Sequence, residues 1–251
     1  MSDVCRVFLG YDAREAIAYH VCVQSILEKA SVPVAFYPLH AGLNLTGQRD
    51  GTNAFTFSRY LVPYLCEFRG WALFMDGDMT CEKDIAELWA LQEDNQFNKA
   101  VAVVKHEYKT KHPRKYIGST MESDNVDYPR KNWSSVMLWN CGHAANWILK
   151  PEYVASAPAK DLHRFAWLKD AQIGELPHWW NYLVGEDPPG AASLYHYTLG
   201  VPGIKHYADS PASWHWHLKL LNALQCAGED PGEVVERAQT RIGAAELRHA
   251  V

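Results

Sequence analysis

Two carboxylates one residue apart follow an apolar run in the segment LFMDGDMTC, residues 73–81. Asp76 and Asp78 could share a divalent cation with a phosphate-bearing ligand, because Mn²⁺ and Mg²⁺ prefer oxygen ligands and keep open positions for phosphate. Gly77 between them would let the backbone pass close to that ligand. The charge of the ion would offset negative charge that develops on a leaving group. This spacing favours a metal site, provided that other residues complete it.

Two other interpretations of the same residues stay open. Asp-Gly is a frequent hairpin turn between alternating strands, but the flank Trp71 to Met75 is continuously apolar and residues 81–84 do not continue as a strand. The order Asp-x-Asp-x-Thr also resembles the opening motif of haloacid-dehalogenase-type phosphatases, in which Asp76 would be the nucleophile. The later acidic pair of such a phosphatase is not evident downstream, and a strand–helix–strand unit precedes the motif.

The flanking elements predict an α/β fold. Residues 6–12 have the pattern of a short strand, a helical periodicity follows, and residues 32–40 have the pattern of a second strand. This order is typical of a parallel sheet covered by helices. Residues 71–81 predict a further buried strand, because Trp71 to Met75 are apolar without alternation.

Three predicted strands end in polar side chains, at Tyr11–Asp12, at Asp76–Gly77–Asp78 and at His196. Ligands of open α/β sheets bind beyond the carboxyl ends of strands, so we expect these groups to meet at one edge. The polar stretch 107–132 has little periodicity and predicts a lid or binding flap. Residues 141–190 predict mostly helix, interrupted by proline and glycine.

The composition restricts the classes of partner and compartment. The chain has 251 residues, 48% of them hydrophobic and 21% charged, which is enough for the core of one large domain. A net charge of -5 without a basic block argues against a nucleic-acid partner. We expect no signal peptide and no transmembrane segment. Six scattered cysteines without a CxxC pair favour reduced thiols and a cytoplasmic location.

The order of the motifs resembles that of the GT-A fold glycosyltransferases, over roughly residues 4–207. The likeness is greatest to the retaining group that includes glycogenin and the bacterial lipopolysaccharide galactosyl- and glucosyltransferases. VFLGYD resembles their first strand, AFTFSRYLVPYL the helix before the metal strand, and WALFMDGDMTC the strand with the Asp-x-Asp pair. SSVMLWN, LPHWWN and YHYTLGVPGIKHY resemble, in order, the strand beside the donor sugar, a Leu-Pro-x-x-Trp-Asn segment and the closing histidine–lysine segment.

The resemblance implies a mostly parallel central sheet flanked by helices and a set of functional residues. The implied ligands of Mn²⁺ or Mg²⁺ are Asp76, Asp78 and His196. The implied donor-binding residues are Tyr11, Asp12, Arg59, Gly77 and Lys205, and the implied catalytic residues are Arg59, Asp170 and Gln172. The implied substrates are a nucleotide-diphospho-sugar, most simply a UDP-sugar, and a carbohydrate or lipid-linked acceptor.

We therefore predict a metal-dependent hexosyltransferase that retains anomeric configuration. Residues 1–210 would form one catalytic domain, with a nucleotide-binding half (1–90) and an acceptor half (91–210), and residues 211–251 a helical tail. A non-catalytic sugar-binding protein of the same fold is an alternative, as is the phosphatase. A peripheral association with the inner face of the membrane stays open.

Overall fold

A six-stranded sheet forms the centre of the molecule. The computed structural model describes residues 4–40, 53–93, 99–225, 230 and 232–233. The strands are β1 Cys5–Gly10, β2 Val34–Leu39, β3 Trp71–Met75, β4 Met79–Cys81, β5 Val101–Val103, β6 Arg114–Lys115, β7 Ser123–Asp124, β8 Val136–Asn140, β9 Ile173–Glu175, β10 Tyr182–Leu183 and β11 Leu194–His196. The central order is β2-β1-β3-β8-β5-β9, in which β8 alone runs antiparallel to its neighbours. The predicted mostly parallel sheet is confirmed.

Helices cover both faces of this sheet. They are α1 Ala16–Leu27, α2 Val62–Leu65, α3 Ile85–Trp89, α4 Pro151–Ser156, α5 Ala159–His163 and α6 Ser213–Leu224. Val7 and Leu9 face one side and pack with Ile26 of α1, whereas Phe8 and Phe74 face the other side and pack near α2. Each fully buried side chain of this kind contributes roughly 1.5–3 kcal/mol. Burial on both faces explains why these strands are continuously apolar in sequence.

The predicted strand 71–81 is two strands in two sheets. β3 belongs to the central sheet, and β4 belongs to a three-stranded sheet of order β10-β11-β4. Asp76, Gly77 and Asp78 form the crossing between them. A Cβ on Gly77 would lie 2.4 Å from the Gly10 carbonyl oxygen, so only glycine fits there. Because β3 and β4 do not pair with each other, the hairpin interpretation is wrong.

His196 reaches this crossing from the small sheet. It ends β11, where it pairs with Met79 of antiparallel β4 and with Leu183 of parallel β10. α6 packs against α1 behind this sheet, with Lys219 Nζ 2.6 Å from Glu28 Oε2. α6 lies within the predicted tail 211–251, and most residues after 225 lie outside the described residues, so the helical tail stays a prediction.

The prediction of mostly helix for residues 141–190 is wrong. α4 and α5 have only six and five residues, and the segment also contains β9 and β10. β9 pairs in parallel with β5 at the edge of the central sheet. That pairing decides the local conformation in place of helical propensity. Within the described residues, no helix has the length and apolarity required to cross a bilayer.

Candidate metal centre

Asp76, Asp78 and His196 come together at the crossing between the two sheets. His196 Nε2 lies 3.4 Å from Asp78 Oδ1 and 4.0 Å from Asp76 Oδ2. The three residues are 9%, 4% and 2% exposed, and one ligand atom from each lies within 4.8 Å of the others. Two carboxylates and one imidazole at this spacing are a donor set that suits a divalent cation.

The carboxylates of this centre are short of partners. The Oδ1 atoms of Asp76 and Asp78 are buried and have no hydrogen-bond partner among the described residues. Arg59 Nη1 lies 2.9 Å from Asp76 Oδ1 as an ion pair, but its hydrogen bond goes to the Ser134 carbonyl at 3.0 Å. Burial raises the pKa of Asp76 to about 6, although Arg59 opposes it. Burial is also the largest influence on Asp78 and raises its pKa, but the charge and hydrogen bond of His196, a backbone hydrogen bond and the charge of Lys115 together hold that pKa below its usual range.

A hydrogen-bond network fixes the tautomer of His196. Asn181 Nδ2 donates to the Asn132 carbonyl at 3.2 Å and to Ser135 Oγ at 2.8 Å. A carbonyl only accepts, so the amide nitrogen of Asn181 must face it and Oδ1 must face His196 Nδ1, 3.0 Å away. His196 therefore carries a proton on Nδ1, so its neutral form turns the lone pair of Nε2 toward the two aspartates. Metal-binding histidines use this arrangement.

Two adjoining cavities open over the centre. A small one of about 90 Å³ contains the three candidate ligands and Arg59. A larger one of about 460 Å³ contains Asn125 and further polar and aromatic side chains. The residues that line both are Thr56, Lys115, Tyr128, Asn132, His163 and Thr198. A ligand bound over the centre therefore has a second compartment beside it, lined by both polar and apolar side chains.

A sequence comparison shows the family of this chain. The chain is 40% identical to Protein CDI of Arabidopsis thaliana over 225 residues, which cover 84% of each chain. The chain belongs to the Protein CDI family. No model of a protein family matches the sequence.

Solved glycosyltransferases share the fold of this Protein CDI family member. The bifunctional WbbM has a TM-score of 0.57 at 13% identity, over 87% of this chain and 52% of its own. GlyE of Streptococcus pneumoniae TIGR4 has a TM-score of 0.58 at 12% identity, over 96% of this chain and 64% of its own. The galactosyltransferase LgtC, in complex with donor and acceptor sugar analogues, has a TM-score of 0.52 at 11% identity, over 86% and 95%.

At such low identities, the structural likeness establishes the fold alone. It confirms the predicted GT-A-like fold class. The chain spans about half the length of WbbM and about two thirds of the length of GlyE.

Residues of the predicted flap join the site without any sequence signal of their own. Lys115, at the end of β6, lines both cavities, and Tyr116 Oη donates to Asp78 Oδ2 at 3.4 Å. Burial lowers the pKa of Lys115, which the two aspartates oppose. The segment is anchored, since Tyr116 N donates to the Leu199 carbonyl and Lys111 N to Glu186 Oε2 at 3.0 Å. It is a wall of the site in this structure.

Glu15 is another acidic group that the sequence did not single out. Its Oε2 is buried and has no hydrogen-bond partner among the described residues. Burial, and then the charge of Asp78, raise the pKa of Glu15 to about 9. At neutral pH it is therefore a neutral carboxyl group that interacts with Asp78 of the candidate centre.

The two residues at the end of β1 have structural partners. Asp12 is buried and accepts from the backbone of Arg14 at 3.0 Å and of Ala54 at 2.9 Å, which ties β1 to the segment before α2. Tyr11 packs edge-on against Tyr19 and His40. Both lie at the carboxyl end of the central sheet, as predicted.

Three other predicted site residues do not reach the centre. Lys205 begins a short 3-10 helix and is exposed. Asp170 is exposed and pairs with Arg130 at 2.5 Å, and Gln172 Oε1 accepts from the backbone of Lys169 at 2.9 Å. None of the three lines either cavity. Their predicted roles find no support in their positions.

Proposed function

We propose that this protein transfers a sugar from a nucleotide-diphospho-sugar donor to a hydroxyl acceptor, with a divalent cation as cofactor. The observation that carries the proposal is the buried group Asp76, Asp78 and His196, with carboxylate oxygens that lack hydrogen-bond partners among the described residues, on a glycosyltransferase fold. Arg59 forms an ion pair with one of the two buried carboxylates. Buried negative charge beyond that pair is costly unless a further cation balances it. Mn²⁺ or Mg²⁺ bound there would supply positive charge against the leaving diphosphate.

Arg59 and Lys115 are the two protein cations on the donor side. Arg59 is held over the rings of Phe55 and Phe74, at 5.2 and 5.0 Å from their centroids, so its guanidinium cannot move far. It would orient the donor sugar or a phosphate oxygen. Lys115 lines the same cavity as the two aspartates, whereas the exposed Lys205 does not. Lys115 would therefore make the diphosphate contact that the resemblance implies for Lys205. Fixed charges of this kind stabilise a developing anion without reorganisation.

The larger cavity is the proposed acceptor compartment. Its polar lining, with Asn125, Tyr128 and Asn132, matches the many hydroxyls of a carbohydrate. Residues 1–90 supply most donor contacts, among them Tyr11 and Asp12 for the nucleoside of a UDP-sugar, and residues 91–210 supply most of the acceptor side. Adjacent cavities hold the two substrates in contact, which contributes through proximity. Same-face attack with retention is the stereochemistry that we propose.

Calorimetry with UDP and Mn²⁺ tests the proposal. We expect UDP to bind in the presence of Mn²⁺ and at least 10-fold more weakly when EDTA is added or Asp76 is changed to Asn. Hydrolysis of a UDP-sugar in place of transfer, followed by chromatography, would report the same active site. Sugar binding that is indifferent to EDTA would instead identify a non-catalytic sugar-binding protein. Turnover of an aryl phosphate that needs Asp76, without nucleotide binding, would identify the phosphatase.

A further inference from the structure

A second group of potential metal ligands lies outside the two cavities described above. His106, His178 and Asp187 each place one ligand atom within 4.8 Å of the others. His178 Nε2 is 2.9 Å from Asp187 Oδ2, and the rings of His106 and His178 are edge-on with centroids 5.2 Å apart. The residues come from three segments: the turn after β5, the 3-10 helix His178–Asn181 and the turn after β10.

One ring nitrogen of His106 has no hydrogen-bond partner among the described residues. The residue is 6% exposed, and its Nε2 is buried without a hydrogen-bond partner among the described residues. A buried polar atom without a partner lowers stability and calls for an unseen water or ion. An imidazole in its neutral form offers a lone pair on one ring nitrogen, as a metal ligand must.

We propose that His106, His178 and Asp187 form a second metal site that binds a transition-metal ion of the Zn²⁺ class. Two imidazoles and one carboxylate are a zinc-type donor set, and a water molecule would complete a tetrahedron. The centre at Asp76 has the opposite balance, with two carboxylates and one imidazole, which suits a harder ion. His178 is 53% exposed at its side chain, so an ion can reach the site from solvent.

The position of this site gives it a structural role. The 3-10 helix that begins with His178 ends with Asn181, which holds His196 Nδ1. Asp187 Oδ2 also accepts from the backbone of Leu183, the residue that pairs with His196 between β10 and β11. An ion at this site would therefore fix both segments that support His196. Its binding does not depend on the proposed transferase activity.

Titration of the metal-free protein with Co²⁺, followed by its visible absorption, and with Zn²⁺ by calorimetry tests the second site. We expect the wild type to bind two equivalents and His178→Ala or Asp187→Asn to bind one, with at least a 10-fold loss of affinity at the second site. A double variant, Asp76→Asn with Asp78→Asn, should also bind one. His20→Ala removes an exposed histidine outside the cluster and should bind as the wild type does.

The competing explanation is a simple ion pair between His178 and Asp187. It predicts that His178→Ala lowers the melting temperature while the number of bound ions stays the same, and that result would overturn the proposal. Absence of any Co²⁺ or Zn²⁺ binding to the folded double variant would overturn it too. If the double variant does not fold, the change from two equivalents to one in His178→Ala still decides. Loss of UDP binding has no bearing on this outcome, so the two proposals fail separately.

Discussion

Replacement of Asn181 by Ala tests how the protein prepares His196 for a metal. The substitution removes the acceptor for His196 Nδ1 and two donated hydrogen bonds, to Asn132 and Ser135. At about 1 kcal/mol for each bond, the free energy of unfolding should fall by about 3 kcal/mol. Without its acceptor, the imidazole can place its proton on Nε2, the atom that faces the aspartates. Loss of such a supporting residue weakens metal affinity by about 10–100-fold, or about 1.4–2.8 kcal/mol.

Asn146→Ala is the matched control for this experiment. Asn146 and Asn181 are both fully buried, and Asn146 Nδ2 also donates two hydrogen bonds, to the carbonyls of Ala100 and Asn140. It should lose about 2 kcal/mol of stability and keep its affinity for Mn²⁺, measured by calorimetry or by electron paramagnetic resonance of the free ion. The reasoning is refuted if Asn181→Ala binds Mn²⁺ within twofold of the wild type, or if Asn146→Ala loses as much affinity.

Three further predictions concern residues around the centre. Lys115→Ala should weaken the binding of UDP with Mn²⁺ by about 10-fold through loss of a charged contact, whereas Lys205→Ala should not, as calorimetry can show. Glu15→Gln should stabilise the metal-free protein in urea unfolding by an amount that grows from pH 5 to pH 9, to roughly a few kcal/mol. The sign follows because the unfolded carboxyl ionises near 4.5 while the folded one keeps its proton to about 9, so the wild type loses stability across that window. Gly77→Ala should cost about 1–3 kcal/mol through overpacking against Gly10, seen as a lower unfolding midpoint.

Each of these predictions has an opposite outcome that can be observed. A larger loss of UDP affinity in Lys205→Ala than in Lys115→Ala would assign the diphosphate contact to Lys205, as the family resemblance implies. A pH-independent gain in Glu15→Gln would show that its carboxyl ionises normally in the folded state. An unchanged midpoint in Gly77→Ala would mean that the crossing between the sheets has room for a methyl group.

The elements that the sequence predicts correctly are those whose burial follows a regular pattern along the chain. β1 and β3 were predictable because strands buried on both faces leave continuous apolar runs, and α1 was predictable from apolar residues at helical spacing. The same logic located Asp76 and Asp78, which follow such a run. It also misjudged residues 79–81, because an apolar run does not show that the chain moves from one sheet to another.

The rest of the centre depends on contacts between distant residues. Lys115 and Tyr116 belong to a polar segment, and only bonds such as Tyr116 N to the Leu199 carbonyl bring it over the aspartates. Asn181 is 15 residues from His196, and its role follows from the amide orientation that Asn132 imposes. Asp170 and Gln172 were chosen by resemblance of a short segment, and local chain geometry turns them outward. No periodicity encodes these relations.

The candidate ligands lie on both sides of the boundary between the central sheet and the small sheet, which the chain crosses between β3 and β4. Asp76 follows the central sheet, whereas Asp78 precedes β4 and His196 ends β11 in the small sheet. An ion shared by all three would hold the two sheets at a fixed separation. The affinity of the protein for that ion would therefore depend on how the two sheets are aligned. α1 and α6 pack on β4, and Lys219 and Glu28 join these helices. Changes in that helix pair, far from any ligand, would then alter metal affinity through the position of the small sheet.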